Sequence, residues 1–166
     1  MATPPVDENE VLFRQIGAGG DPVHFDATRR TPVYRSVFLP STADGDVLSL
    51  LRPKCRSKIW CAFRVEQPAA RFRLASLQAS NLRQIATEVA IDNFELSPSK
   101  DRLDEQHGEP WAHCVATKIN RSDYDSDKVA KARMKEWAIE VSDSINASQV
   151  QGPFSEPTEN DPYRPT

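Results

Sequence analysis

The stretch that decides the fold is WAHCVATKINRSDYDSDKVAKARMKEWAIEVSDSIN, residues 111–146. Its first nine residues carry small and β-branched side chains with no breaker among them, the pattern of a strand. The second half changes period. Ala130, Met134, Trp137, Val141 and Ile145 recur at i, i+4, i+7, i+11 and i+15, which is one stripe of an amphipathic helix. Lys128, Lys131, Lys135 and Asp143 fall on the opposite side. Asp123, Asp125 and Asp127 crowd the start, where the helix dipole favours negative charge. A strand feeding a helix whose Trp137 face needs a cover predicts a helix packed on a sheet.

Upstream segments add strands and a second helix. EVLFRQIG reads as a first strand, with Val11, Phe13 and Gln15 on one side and Leu12, Arg14 and Ile16 on the other. TPVYRSVFLPS is expected as a strand fragment near an edge because of Pro32 and Pro40. DVLSLLRP is a short strand after a turn at Asp44–Gly45, and the pair around ADGD suits a hairpin. KCRSKIWCAFRVEQP fits helix or strand and is taken as helix, with Ser57 as cap and Pro68 as stop. ARFRLASLQ is extended. SNLRQIATEVA is a helix with Ser80 at its N-cap and Leu82, Ile85, Ala86 and Val89 in one stripe. NFELSPS is another short strand. Strict βαβ alternation is absent, so the fold class is α+β: one small domain, a mixed or antiparallel sheet packed by two or three helices.

A chain of 166 residues suits one such domain. Residues 1–9 are expected as a disordered lead, 10–147 as the domain, and 148–166 as a disordered, acidic, Pro-rich tail. Hydrophobic content of 39% with mean hydropathy of -0.57 fits a domain with polar ends. The formal net charge of -3 gives no global field for nucleic acid or a membrane surface. No run approaches the roughly 18–20 apolar residues of a membrane span. Three cysteines without a disulfide framework point to a reducing, cytoplasmic setting.

The candidate chemistry centres on His113, Cys114 and Arg14. Adjacent residues of a strand point to opposite faces, so His113 and Cys114 cannot act on each other as base and nucleophile. A cysteine-hydrolase site would need His24 or His107 beside Cys114; otherwise Cys114 is a small buried hydrophobe. An ADP-ribosyl-transferase-like arrangement would use Arg14, Tyr34, Ser36 and a late acid, Glu95 or Glu109, but no E-x-E motif is present; otherwise Arg14 is a structural ion pair. No metal is expected. Cys55 and Cys61, or His107 and His113, stand six apart, which on a strand separates them by roughly 20 Å. The Asp123, Asp125, Asp127 series lacks the glycine and glutamate of a calcium loop, having Lys128 and Met134 there. GAGGDP, with no helix after it and no lysine in place, is no phosphate loop, so no cofactor is expected.

A basic, aromatic stretch runs from residue 52 to 73. Arg52, Lys54, Arg56, Lys58, Arg64, Arg71 and Arg73 stand against Glu66 alone, with Trp60, Phe63 and Phe72 between them. That composition suits an acidic protein partner or, as an alternative, nucleic acid; a solvated face has the same appearance. Arg52, Lys54, Arg56, Lys58, Trp60, Arg64, Arg71 and Arg73 are therefore the candidate binding residues.

Three segments together, LFRQI, DGDVLSLLR and PWAHCVATKI, resemble small bacterial proteins with an N-terminal L-[FY]-R-Q segment, a central D-x-x-L-S strand and a late P-x-H-A-like strand. The resemblance spans roughly residues 11–140. It implies a cytoplasmic α+β domain without an assigned activity and carries over His113 as a site position. The chain departs from the pattern at Ala112-His113-Cys114. The functional expectation is a small soluble interaction subunit of a bacterial-type multi-component system that binds a partner protein. An enzyme of the two kinds above and nucleic-acid binding through residues 52–73 are the alternatives.

Overall fold

Strand β1 (Val11–Ile16) buries Leu12 and Ile16 on one side and Phe13 on the other. A strand apolar on both sides belongs in the interior of a sheet, and β1 lies there. The computed structural model describes residues 5–16, 24–39, 48–52, 72–91, 94–99, 113–116 and 127–154. Besides β1 it contains β2 (Leu48–Leu51), β3 (Phe72–Gln78), helix α1 (Ala79–Glu88), β4 (Leu96–Ser99), β5 (His113–Ala116), helix α2 (Asp127–Asp143) and β6 (Val150–Phe154). The six strands form one sheet in the order β4-β5-β2-β1-β3-β6, and every neighbouring pair is antiparallel. The fold is α+β, with a single sheet and two α-helices among the described residues.

The register fixes which side chains share a face. Leu12 lies opposite Leu77, Arg14 opposite Ala75 and Ile16 opposite Arg73. Leu50 lies opposite Cys114, and Leu48 opposite Ala116. This face supplies Leu12, Ile16, Leu48, Leu50, Ala75, Leu77, Cys114 and Ala116 to the core, together with side chains of both helices. On α2 the predicted stripe of Ala130, Met134, Trp137 and Val141 is buried, and Ile145 stays buried just beyond the helix end. Trp137 donates from Nε1 to the Leu82 carbonyl of α1 at 3.4 Å and stacks obliquely on Phe94 at 5.6 Å. Its polar edge is thus satisfied while its ring fills the interlayer space.

Several expectations are corrected. Residues 5–9 of the expected disordered lead are a strap, with Val6 in the core. Residues 32–39 do not form a strand: Val33 makes a single bridge to Phe25, and Arg35–Phe38 is a 3-10 turn. The adjacent Val37 and Phe38 are both buried, which one face of a strand cannot provide. The strand partners of β2 are β1 and β5, so among the described residues the hairpin expected around ADGD is not formed with residues 32–39. The expected tail begins too early. Asn146 and Gln149 form a capping box around a 3-10 turn, Ala147–Gln149, and β6 then pairs with the outer edge of β3. Ser76 and Gln149 join the two through a side-chain bond in each direction, at 3.2 and 3.4 Å. The helix expected at residues 54–68, the turn at Asp44–Gly45 and the tail beyond residue 154 lie outside the described residues.

Ser80 is not the N-cap of α1. The helix follows β3 without a loop, and the amides of Ala79 and Ser80 donate to the carbonyls of Glu10 and Glu8 at 3.0 and 2.9 Å. The strap therefore satisfies donors that a helix start leaves open. Arg83 of α1 holds the Val6 carbonyl at 2.8 Å. Arg52, just after β2, binds Glu10 through Nε at 2.7 Å and Nη2 at 3.0 Å, and the Pro5 carbonyl at 3.0 Å. Both side chains of this ion pair are almost wholly buried. At its other end α1 closes in a Schellman motif. The Ile91 amide donates to the Ala86 carbonyl and the Ala90 amide to that of Thr87. Ala90 takes φ of 60° there, a left-handed geometry that glycine adopts without penalty.

Two stability measurements follow from these contacts. Arg52→Met strips the buried Glu10 carboxylate of its guanidinium and is expected to cost about 3–5 kcal/mol in urea unfolding. Adding Glu10→Gln to that variant recovers part of the loss. Ala90→Gly relieves the left-handed alanine and raises stability by about 0.5–1 kcal/mol in the same assay.

Candidate interaction surface

Cys114 and His113 lie on opposite faces of β5, as strand geometry requires. Cys114 has no exposure and is enclosed in the core cluster. That placement is the one expected of a small buried hydrophobe. His113 is half-buried on the other face, level with Leu51 on one neighbour and Ser99 on the other. Phe13 continues that row beyond Leu51 and is buried, as are Leu51 itself and nearby Leu74.

Arg14 rises on the helix-covered face. Its Nε donates to the Val37 carbonyl at 2.9 Å and its Nη1 to the Ser49 carbonyl at 3.0 Å. It is a hydrogen-bonded brace between the 3-10 turn and β2, not an ion pair. Burial away from solvent pushes its pKa below the usual arginine value. Ser36 sits one residue from the carbonyl that Arg14 holds, and its Oγ lies 3.3 Å from His24 Nδ1. Glu95, the late acid of a transferase-like site, precedes β4, which is three strand spacings from β1, or about 14 Å. It is not brought to Arg14. Glu109 and His107 lie outside the described residues.

The basic stretch from 52 to 73 is described only at its ends. Arg52 is corrected as a binding residue, because its guanidinium is buried against Glu10 and faces no solvent. Lys54, Arg56, Lys58, Trp60, Arg64 and Arg71 lie outside the described residues. Arg73, the second residue of β3, places its guanidinium 4.7 Å from the ring centre of Phe25.

That contact leads to a surface the sequence reading passed over. Residues 24–35, HFDATRRTPVYR, fold back on themselves. Phe25 pairs with Val33, the Asp26 amide donates to the Pro32 carbonyl at 2.8 Å, and the Tyr34 amide to the His24 carbonyl at 3.0 Å. Asp26 caps the turn by accepting from the Thr28 hydroxyl at 2.6 Å and the Thr28 amide at 3.0 Å. The turn is thus built by local hydrogen bonds. Arg29, Arg30 and Arg35 on it are exposed. The Arg29 guanidinium stacks 3.9 Å over the Tyr34 ring, a cation–π contact that orients it while leaving its N–H edge for an acceptor. Among the described residues no carboxylate forms an ion pair with Arg29, Arg30, Arg35 or Arg73. The available signal was an Asp-x-Thr turn followed by three arginines in seven residues beside a tyrosine.

No group of histidine, cysteine, aspartate or glutamate suited to a metal ion occurs among the described residues. No described helix is long and apolar enough to cross a membrane. No family model, curated protein or solved structure matches the chain.

The two bonds from Thr28 hold the Asp26 carboxyl below the usual aspartate range, with a smaller contribution from Arg29. A folded pKa below the unfolded one stabilises the turn above the ordinary aspartate value. The stabilisation is lost as pH falls through the depressed value. The Thr28 amide resonance is expected to follow that acid transition by NMR, and in Asp26→Asn the transition disappears.

Proposed function

We propose that the protein is an interaction subunit of a multi-component system and that its partner protein docks an acidic segment on the arginine turn. One observation carries this reading: Arg29, Arg30, Arg35 and Arg73 gather around a hydrogen-bonded turn with no ion-pairing carboxylate among the described residues. Arginine forks match carboxylates in two-point contacts, and rings behind two of them reduce the ordering cost of binding. The placement of Cys114 in the core and of Arg14 between two carbonyls favours binding over catalysis. A cytoplasmic setting belongs to the same proposal, supported by a count of three cysteines without a disulfide framework.

A short acidic peptide suits this surface better than a nucleic-acid strand. Tight phosphate-backbone binding typically engages roughly 6–10 cationic contacts. Four arginines on a chain of net charge -3 provide a smaller, local field. The test is titration of an oligo-glutamate peptide against the protein at several salt concentrations. Arg29→Glu/Arg30→Glu/Arg35→Glu is expected to weaken that binding at least about tenfold, since rim charges set salt-dependent recognition. Equal binding by the triple variant, or stronger retention of single-stranded DNA than of the peptide, sinks the proposal.

A further inference from the structure

We infer that Arg14, with Ser36 and His24 beside it, forms a binding site for the phosphate group of a small molecule. A guanidinium carries five N–H donors. The fold uses Nε of Arg14 on the Val37 carbonyl and one Nη1 hydrogen on the Ser49 carbonyl. Among the described residues the remaining N–H groups, both of Nη2 included, have no acceptor, and the guanidinium has no ion-pairing carboxylate. Its charge is nevertheless drawn away from solvent, and that burial alone pushes its pKa down. A charge taken from water without a counter-charge is costly. Arg52 shows the contrast: where the fold buries a guanidinium for structure, it supplies the Glu10 carboxylate to two of its nitrogens. Arg14 has the burial without the carboxylate, and a bound anion supplies what is missing.

The surroundings of Arg14 suit the same ligand. The carbonyl that Nε holds belongs to Val37, next in the chain to Ser36, whose exposed hydroxyl lies 3.3 Å from His24 Nδ1. Strand register adds a second cation. Arg14 lies opposite Ala75 and Ile16 opposite Arg73, so Arg14 and Arg73 are diagonal neighbours on one face of the sheet. Such positions stand roughly 7–8 Å apart. Arg73 stacks on Phe25, the residue after His24, and has no ion-pairing carboxylate among the described residues. Residues 25–37 are thus fastened to the sheet by Arg73 at Phe25 and by Arg14 at Val37, and the His24–Ser36 contact joins the neighbours of those two points. Arg14 supplies the direct contact and Arg73 a supporting field. A terminal phosphate offers three strong acceptor oxygens, enough for the free N–H groups of Arg14 and a rotated Ser36 hydroxyl; a carboxylate offers two. Arg14, Arg73 and His24 are half-buried and Ser36 is exposed, which leaves the group open to a small ligand. The site is built on the sheet and does not depend on partner docking at Arg29, Arg30 and Arg35.

The experiment titrates the full chain with inorganic phosphate, and in a second arm with glycerol phosphate, at an ionic strength held constant with chloride. The Arg14 Nε–Hε and Ser36 amide resonances are expected to shift together and to saturate. Tighter binding of glycerol phosphate assigns the site to a phosphate ester, and tighter binding of inorganic phosphate to the free ion. Ser36→Ala, which leaves the Arg14 brace in place, is expected to weaken phosphate about tenfold through the lost charge-assisted bond. Arg73→Gln weakens it by a smaller factor that closes as salt is raised. Backbone amide spectra of α2 and β3 check that each variant is folded; should one unfold, the titration of the unaltered chain and the other variant decide. Shifts that do not saturate, or that are confined to Arg29, Arg30 and Arg35, overturn the site, as does an unchanged affinity in a folded Ser36→Ala. Acetate that binds as tightly as phosphate overturns the phosphate assignment. Loss of the phosphate site leaves the peptide titration of the arginine turn unaffected, so the two readings fail separately.

Discussion

The buried pair of Arg52 and Glu10 is the contact on which the arrangement of the domain depends. Two charges removed from water are costly unless each is well matched. Here the guanidinium engages both carboxylate oxygens and adds the Pro5 carbonyl. Arg52 follows β2, whereas Glu10 immediately precedes β1, so the pair ties the two strands at one end. The backbone of Glu10 then receives the first amide of α1. A few residues of strap thereby couple two strands and a helix, and Val6 follows them into the core. This one placement of the strap satisfies both the helix start and the buried guanidinium.

The central sheet assigns the remaining polar side chains by geometry. β1 meets β3 in register over its whole length but is in register with β2 at the Phe13–Leu51 pair. Beside that pair, Arg14 reaches across to Ser49 and up to Val37, and so docks the 3-10 turn over the sheet. Cys114 lies in the same layer beyond Leu50 and packs as a hydrophobe. Residue types that carry chemistry in other settings here hold backbone together. The arginine turn differs: its own backbone bonds and Asp26 satisfy the fold locally, so its guanidinium groups remain directed at solvent or stacked on rings. That separation between structural and outward-facing arginines is the physical basis of the proposed binding surface.

Local periodicity was enough to reveal β1, β3, β5, α1 and the buried stripe of α2, because each is encoded by side-chain spacing within a few residues. The same spacing placed His113 and Cys114 on opposite faces. The 3-10 turn was misread because Val33, Val37 and Phe38 have strand-like character, and only packing against α2 requires two adjacent residues to be buried together. β6 was concealed by Gly152 and Pro153, which weaken a strand reading but are tolerated at a sheet edge. The edge of β3 supplies the pairing that the segment's own propensity lacks.

The sequence by itself determined the α+β class, the periodic elements and the presence of excess local positive charge. Tertiary structure alone decided which arginines are buried and which face solvent. Arg52 and Arg29 are chemically identical, and composition pointed to Arg52. Its partner Glu10 is 42 positions away in the chain, and only the closed sheet brings the two together out of water. Arg29 meets Tyr34 across a turn and stays exposed. Burial is a property of the assembled layers, so the role of a charge is settled only when those layers have formed.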